Sequence, residues 1–242
     1  MTPTQIEEIT QLRSRNVSPK QIARKLGLRP AEVTAIIKQQ SEAGNIQKVL
    51  PELKAVLIND RAAQHLLKLP PKKGPDGART VDSGPDTGGL AQVLLLRVDE
   101  KNHHWVSSYL VDYWCLGVKN TLGPRQMTRK QYDNLLWDTE DRFEQPLREI
   151  TLEQAQSVIF GAVDYAKGLG LDPHSDFRRS LAHLGPRSET LIDIEFGKDG
   201  MPYFMSGPYD DSAKIVATLR ETVGEGNFHY LVGLGPALDE LF

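Results

Sequence analysis

The feature that most constrains the fold of this chain is a proline- and glycine-rich stretch, LPPKKGPDGARTVDSGPDTGG, at residues 69–89. Few of its side chains can be buried, so we expect a flexible linker there. The hydrophobic pattern also changes across it, from helix-like spacing before to strand-like runs after. We therefore predict a helical domain at residues 1–68, the linker at residues 69–89, and an α+β domain at residues 90–242.

The sequence SPKQIARKLGLRPAEVTAII, at residues 18–37, has the pattern of two short helices joined by a glycine turn. Ser18 can cap the first helix, Pro19 suits its first position, and Gly27 accepts the left-handed conformation of a tight turn. Residues 6–12 would supply a supporting helix, and residues 51–68 are predicted to extend the domain with further helix. Apolar residues recur where the helices would touch: Ile22, Ala23, Leu26, Val33, Ile36 and Ile37.

On these residues, the segment 4–40 resembles the three-helix, homeodomain-like or sigma-region-4-like helix-turn-helix units of bacterial regulators, recombinases and transposases. The resemblance implies double-stranded DNA as a partner, with the second helix of the motif in the major groove. Base contacts would come from exposed positions on and around that helix: Arg29, Glu32, Thr34 and Gln39. Phosphate contacts are expected from basic side chains nearby: Arg13, Arg24, Lys25 and Lys38.

The charge of the chain is unevenly distributed. Residues 1–54 contain nine Lys and Arg against five Asp and Glu, a net charge of +4. Because the whole chain has a net charge of −3, residues 55–242 carry −7. A polyanion contact is therefore expected in the N-terminal part. The single cysteine cannot form an internal disulfide, the N-terminus does not resemble a signal peptide, and no apolar run approaches the roughly 20 residues of a membrane helix. These features favour a cytoplasmic protein without a membrane partner.

Strand and helix signals alternate in the second domain. A hairpin is predicted from residues 91–98 and 105–114, and Thr151 with Gln154 forms a capping-box pattern before a helix that runs to Leu169. A second hairpin is predicted from residues 192–196 and 201–205, then a helix over residues 210–223 and a strand at residues 228–232. This order predicts an α+β fold with a mainly antiparallel sheet.

Six residues of the second domain are candidates for catalysis: Asp112, Cys115, Lys119, His174, Asp176 and Asp210. A thiolate at Cys115 could act as a nucleophile if Lys119 lowered its pKa, whereas its apolar neighbours favour a buried structural thiol. His174 with Asp176 could orient a base, but turn and capping roles also explain these residues. The histidines are scattered and lack metal-site spacing, so neither a metal nor another cofactor is expected.

The sequence favours a DNA-binding transcriptional regulator, with a second domain for ligand sensing, dimerisation or partner binding. Dimerisation would make the chain a homodimer and could add to its affinity for DNA. Two alternatives stay open. One is an enzyme, for example a nucleic-acid-processing one, that the helix-turn-helix recruits; the other is an adaptor whose small domain docks a protein partner.

Overall fold

In a computed structural model, the chain divides into two compact units, residues 1–50 and 51–242. The structure describes residues 17–36, 50–71 and 88–232, together with Gln5, Glu8, Ile9 and Leu12. Across these described ranges, no helix is both long and apolar enough to cross a membrane.

The described part of the first unit is helical. Helix α1 (Pro19–Leu26) begins at Ser18, whose hydroxyl accepts from the Gln21 backbone N–H while the Gln21 side chain accepts from the Ser18 N–H. This reciprocal capping box satisfies two backbone donors that the first turn would otherwise leave unpaired. The helix ends at Gly27, with φ 65°, and residues 30–36 are helical again. Inward-facing side chains of these two segments form a small core together with Ile9: Ile22, Ala23 and Val33.

A five-stranded sheet forms the centre of the second unit. Its strands are β1 (Glu52–Asn59), β2 (Leu90–Val98), β3 (His104–Asp112), β4 (Gly117–Met127) and β5 (Leu147–Glu149). They pair antiparallel in the order β4-β3-β2-β1-β5. The mainly antiparallel α+β architecture and the β2–β3 hairpin are therefore confirmed.

The predicted helix over residues 51–68 is wrong in its first half, because β1 pairs with β2 on one side and β5 on the other. Only its second half is helical, as α2 (Asp60–Leu67). The predicted domain boundary at residue 68 is corrected with it, since residues from 51 onward belong to the second unit. The spacing of Leu53, Val56 and Leu57 is compatible with either element, and strand pairing decided between them.

The predicted linker lies mostly at residues 72–87, outside the described residues. Both of its ends belong to the second unit. Leu69 packs against the main core, and the Tyr113 N–H donates to the Gly89 carbonyl at 2.8 Å. A side chain at Gly89 could not fit, because a Cβ there would lie 2.3 Å from the Trp114 ring.

The remaining helices are α3 (Arg129–Phe143), α4 (Leu152–Gly168), α5 (Phe177–Leu184) and α6 (Ser212–Thr222). The capping box predicted from Thr151 and Gln154 is present at the start of α4. The helix predicted from residue 210 is α6, which the Asp211 carboxylate caps by accepting from the Lys214 N–H. Local capping signals therefore identified both helix starts.

Helices cover both faces of the sheet. On one face, Val93 and Leu95 of β2 join Ile159 of α4 in the main core. On the other, Leu96 joins Tyr132 of α3 in a smaller core. Because neighbouring strand residues point to opposite faces, burial of both faces explains why β2 is a continuous apolar run.

The second predicted hairpin is wrong. Residues 192–196 form no strand, and β6 (Tyr203–Met205) pairs in parallel with β7 (His229–Leu231). The Ile192 N–H donates to the Ser157 hydroxyl at 2.9 Å, and the Phe196 ring stacks on Tyr165. Residues 192–196 are thus held by contacts with α4, and not by the expected pairing with β6.

Candidate functional site

The first candidate site is the exposed turn between α1 and residues 30–36. Arg24 and Lys25 lie in the last turn of α1, and Arg29 follows the turn; all three side chains are exposed. The buried face of α1 carries Ile22 and Ala23, so helical spacing directs the two cations away from the core. Arg24, Lys25 and Arg29 therefore form an exposed basic edge around the turn.

Two of the predicted base-reading residues make contacts within their own helix. The Arg29 N–H donates to Glu32 Oε2 at 3.1 Å, so this carboxylate caps the helical segment. The Thr34 hydroxyl donates to the Pro30 carbonyl at 2.8 Å. Arg29 differs from these two residues, because its side chain is exposed and has no polar partner within the described ranges. The other predicted contacts lie outside the described residues: Arg13, Lys38 and Gln39.

The second candidate site is the turn that joins β3 to β4, which we call the Asp112 turn (residues 112–119). Asp112 is buried, and its Oδ1 accepts from the backbone N–H groups of Trp114 and Cys115 at 3.1 and 2.9 Å. Gly117 opens β4 with φ 66°, and a Cβ there would lie 2.7 Å from the Ala162 carbonyl of α4. The turn is therefore held by its own carboxylate and pressed directly against a helix.

Lys119 links the Asp112 turn to the loop before α6. Its Nζ lies 2.6 Å from Asp210 Oδ2, and both side chains are largely buried. The same carboxylate oxygen accepts from the Gly207 N–H at 2.7 Å. A Cβ at Gly207 would come within 3.0 Å of Lys119 Nζ, so glycine leaves room for the ion pair.

The electrostatics of this cluster follow from its burial. Burial raises the pKa of Asp112 to about 6, while the Cys115 N–H and the charge of Lys119 oppose the shift. Burial also raises the pKa of Tyr165 to about 12, with the charges of Cys115 and Asp112 acting in the same direction. For Asp112, desolvation disfavours the charged form more strongly than the nearby lysine favours it.

Of the two interpretations of Cys115, the structure supports the favoured one, a buried structural thiol, and not the activated nucleophile. The residue is fully buried in a core with Leu116 and Phe204, and burial followed by the charge of Asp112 raises the thiol pKa. Lys119 lowers it by less than these two effects raise it. Only the thiolate form of cysteine is a good nucleophile, so the protonated, buried thiol of Cys115 contributes to packing.

His174 and Asp176 lie apart from this cluster. The His174 side chain lines an open groove of about 360 Å³, together with Lys167 and Phe177. Its Nδ1 lies 4.0 Å from Asp176 Oδ2, while Asp176 pairs with Arg179 at 3.1 Å. The structure thus brings together four of the six catalytic candidates, Asp112, Cys115, Lys119 and Asp210, and leaves this pair outside.

Sequence reasoning missed a buried contact between Arg97 of β2 and His183 of α5. Arg97 is buried, and its Nε donates to the His183 carbonyl at 2.9 Å. His183 is also buried, and neither of its ring nitrogens has a hydrogen-bond partner within the described ranges. Burial, and then the charge of Arg97, lowers the pKa of His183 to about 4. These residues are 86 positions apart, so no local sequence signal could have paired them.

In comparisons with known proteins, no family model matches the chain, and no curated protein or solved structure matches it. Across the described ranges, no three His, Cys, Asp or Glu side chains group closely enough to hold a metal ion.

Proposed function

We propose that the chain is a DNA-binding protein of the helix-turn-helix type, in which the first unit contacts the duplex. The observation that carries the proposal is the basic edge around Gly27, where Arg24, Lys25 and Arg29 are exposed together. It lies in the part of the chain with net charge +4, whereas the remainder carries −7. Electrostatic attraction to DNA phosphates is therefore concentrated on the first unit.

The helical segment after the turn can approach a groove closely. Pro30, Ala31 and Ala35 are exposed and small, so at these three positions no long side chain keeps the backbone from the duplex. Glu32 is held back as a cap for the Arg29 N–H, which limits the carboxylate's repulsion of phosphate. Arg29 then supplies the guanidinium that can bind guanine at the start of the helix.

This division of roles predicts modest sequence specificity. Arg24 and Lys25 contribute phosphate contacts that do not depend on base identity, and Arg29 contributes base reading. Binding should therefore be strongly salt-dependent and should discriminate only modestly between sequences.

The proposal is tested by fluorescence anisotropy of the full chain with a mixed-sequence 30-base-pair duplex. Replacing Arg24 and Lys25 together with glutamine should weaken binding to every duplex and reduce the salt slope by about 2. Arg29→Gln should instead cost about 1–3 kcal/mol on a preferred site and flatten the preference. The matched control replaces Lys167 and Lys214, two exposed lysines of the second unit, with glutamine and should leave binding unchanged.

Absence of measurable binding at low salt would refute the proposal. So would a control variant that loses as much affinity as the Arg24/Lys25 variant, since the charge of the first unit would then have no special role.

A further inference from the structure

The open groove beside His174 lies between α4 and α5 of the second unit. Its volume of about 360 Å³ falls within the range of about 300–1,000 Å³ that is usual for small-molecule pockets. Val163 of α4 and Phe177 and Leu181 of α5 give it an apolar lining. Val163 and Phe177 are buried, so they form the floor of the groove.

The floor of the groove is held in place from behind. The Phe177 ring meets the rings of Tyr109 and Phe160 edge-on, each with ring centroids 6.4 Å apart. The His174 N–H donates to the Val118 carbonyl of β4 at 2.9 Å, and the Phe177 N–H donates to the His174 carbonyl at 2.9 Å. The loop before α5 is therefore fixed to the sheet, and the groove is already formed without a ligand.

The rim of the groove favours a negatively charged group. Two cations, Lys167 and Arg178, line it against one carboxylate, Asp172, and all three side chains are exposed. Lys167 has no ion-pair partner within the described residues, so its ammonium group is available to a ligand.

The start of α5 adds to this positive charge. Its N-cap residue, Asp176, makes no side-chain hydrogen bond to the first turn, because the carboxylate pairs with Arg179 at 3.1 Å. The N-terminal end of a helix carries a partial positive charge that favours anions. The groove thus combines an apolar floor with a cationic rim.

We propose that this groove binds a small carboxylate with an apolar body. The body would lie on Val163, Phe177 and Leu181, with the carboxylate at Lys167. A small inorganic anion would leave the floor uncovered, and a neutral hydrocarbon would leave Lys167 without a counter-charge. Asp172 opposes the ligand's charge, and the open shape leaves part of the ligand in water, so binding is weak.

The inference goes beyond the proposed DNA binding and does not rest on it, because every residue of the groove belongs to the second unit. Lys167→Gln should leave DNA binding by the first unit unchanged, so the two proposals can fail separately.

NMR titration of the ¹⁵N-labelled full chain with 2-naphthoate tests the site. Amide signals of residues 172–181 should shift, with a dissociation constant on the order of 1 mM or below. The neutral analogue 2-naphthamide has the same body and should bind about tenfold more weakly. Acetate has the charge without the body and should shift no signals of the groove at the same ionic strength.

Variants of the rim test the role of charge. Lys167→Gln should weaken binding of 2-naphthoate about tenfold and leave that of 2-naphthamide unchanged. Asp172→Asn should strengthen binding of 2-naphthoate, because it removes the opposing carboxylate. Lys214→Gln, at an exposed position of α6 outside the groove, is the matched control and should change neither. Amide signals that stay unchanged elsewhere in the spectrum show that each variant still folds.

Four results would overturn the inference. The first is a titration with 2-naphthoate that shifts no signals of residues 172–181. The second is 2-naphthamide binding as tightly as 2-naphthoate. The third is a Lys167→Gln variant that keeps the wild-type affinity for 2-naphthoate. The fourth is weaker binding by Asp172→Asn, which would place the ligand's charge elsewhere.

Discussion

Replacing Asp112 with asparagine should change how the stability of the second unit depends on pH. The pKa of this carboxyl is raised from 3.8 to about 6 by burial. Asparagine keeps the Oδ1 that accepts from the Trp114 and Cys115 N–H groups but has no proton to bind or release in this range. The variant therefore isolates the titration of Asp112 from its role in shaping the turn.

The size and sign of the effect follow from the shift. A shift of about two pKa units, at 1.36 kcal/mol each, corresponds to about 3 kcal/mol. Because the folded state binds this proton more tightly, the stability that Asp112 contributes is complete below pH 3.8 and is lost as the pH rises through about 6. Relative to the wild type, Asp112→Asn should gain about 2.4 kcal/mol between pH 4 and pH 7, because part of the full effect lies below pH 4.

His183 provides an opposing titration in the same pH range. Its pKa is lowered from 6.5 to about 4, so its contribution is complete above pH 6.5 and is lost as the pH falls through about 4. The expected size is also about 3 kcal/mol. In the wild type the two effects offset each other, whereas His183→Leu should lose stability relative to the wild type as the pH rises.

Urea unfolding followed by tryptophan fluorescence measures these differences. All three tryptophans, at positions 105, 114 and 137, lie in the second unit, so the signal reports on that unit. Comparing each variant with the wild type at the same pH cancels the titration of all other groups. If the difference for Asp112→Asn varies by less than about 1 kcal/mol from pH 4 to pH 7, the carboxyl titrates normally and the reasoning is refuted.

Three further predictions concern the surroundings of the Asp112 turn. Lys119→Met should raise the pKa of Asp112 above its value of about 6, because the lysine charge that lowers this pKa is removed. NMR titration of labelled aspartate carboxyls would show the shift, and an unchanged midpoint for Asp112 would contradict the prediction. Cys115 should resist alkylation by iodoacetamide in the folded protein and should react once urea unfolds the protein. Mass spectrometry can follow the labelling, and rapid labelling without urea would show an accessible thiolate. Gly89→Ala should destabilise the second unit by about 1–3 kcal/mol in urea unfolding, because the added Cβ would overlap the Trp114 ring and φ is 78°. The matched change Gly226→Ala, at φ 85° with open space around it, should show the cost of the backbone conformation alone.

Elements with strong local signals were predicted correctly. The capping box at Thr151 marks the start of α4, and the leucine-rich run after residue 90 marks the β2–β3 hairpin. Each signal depends on groups within a few residues of one another, so it can be seen without knowledge of the fold.

Elements whose backbone partners are distant were predicted less well. Residues 52–59 could satisfy a helical or an extended pattern, and only pairing with β2 and β5 made them a strand. Residues 192–196 alternate as a strand would, yet contacts with Ser157 and Tyr165 of α4 replace the expected pairing.

The candidate sites show the same division between local and distant information. The amino-acid sequence alone determined which ionisable groups are available, and it placed Asp112, Cys115 and Lys119 within eight residues of one another. It also determined the asymmetry of charge between the two ends of the chain. Tertiary structure decided what the groups do, because it brought Asp210 to Lys119 across 91 positions and enclosed Cys115 and Asp112. Proximity to a lysine favours a thiolate, but enclosure removes the water that would stabilise its charge, and here the loss of hydration is the larger effect.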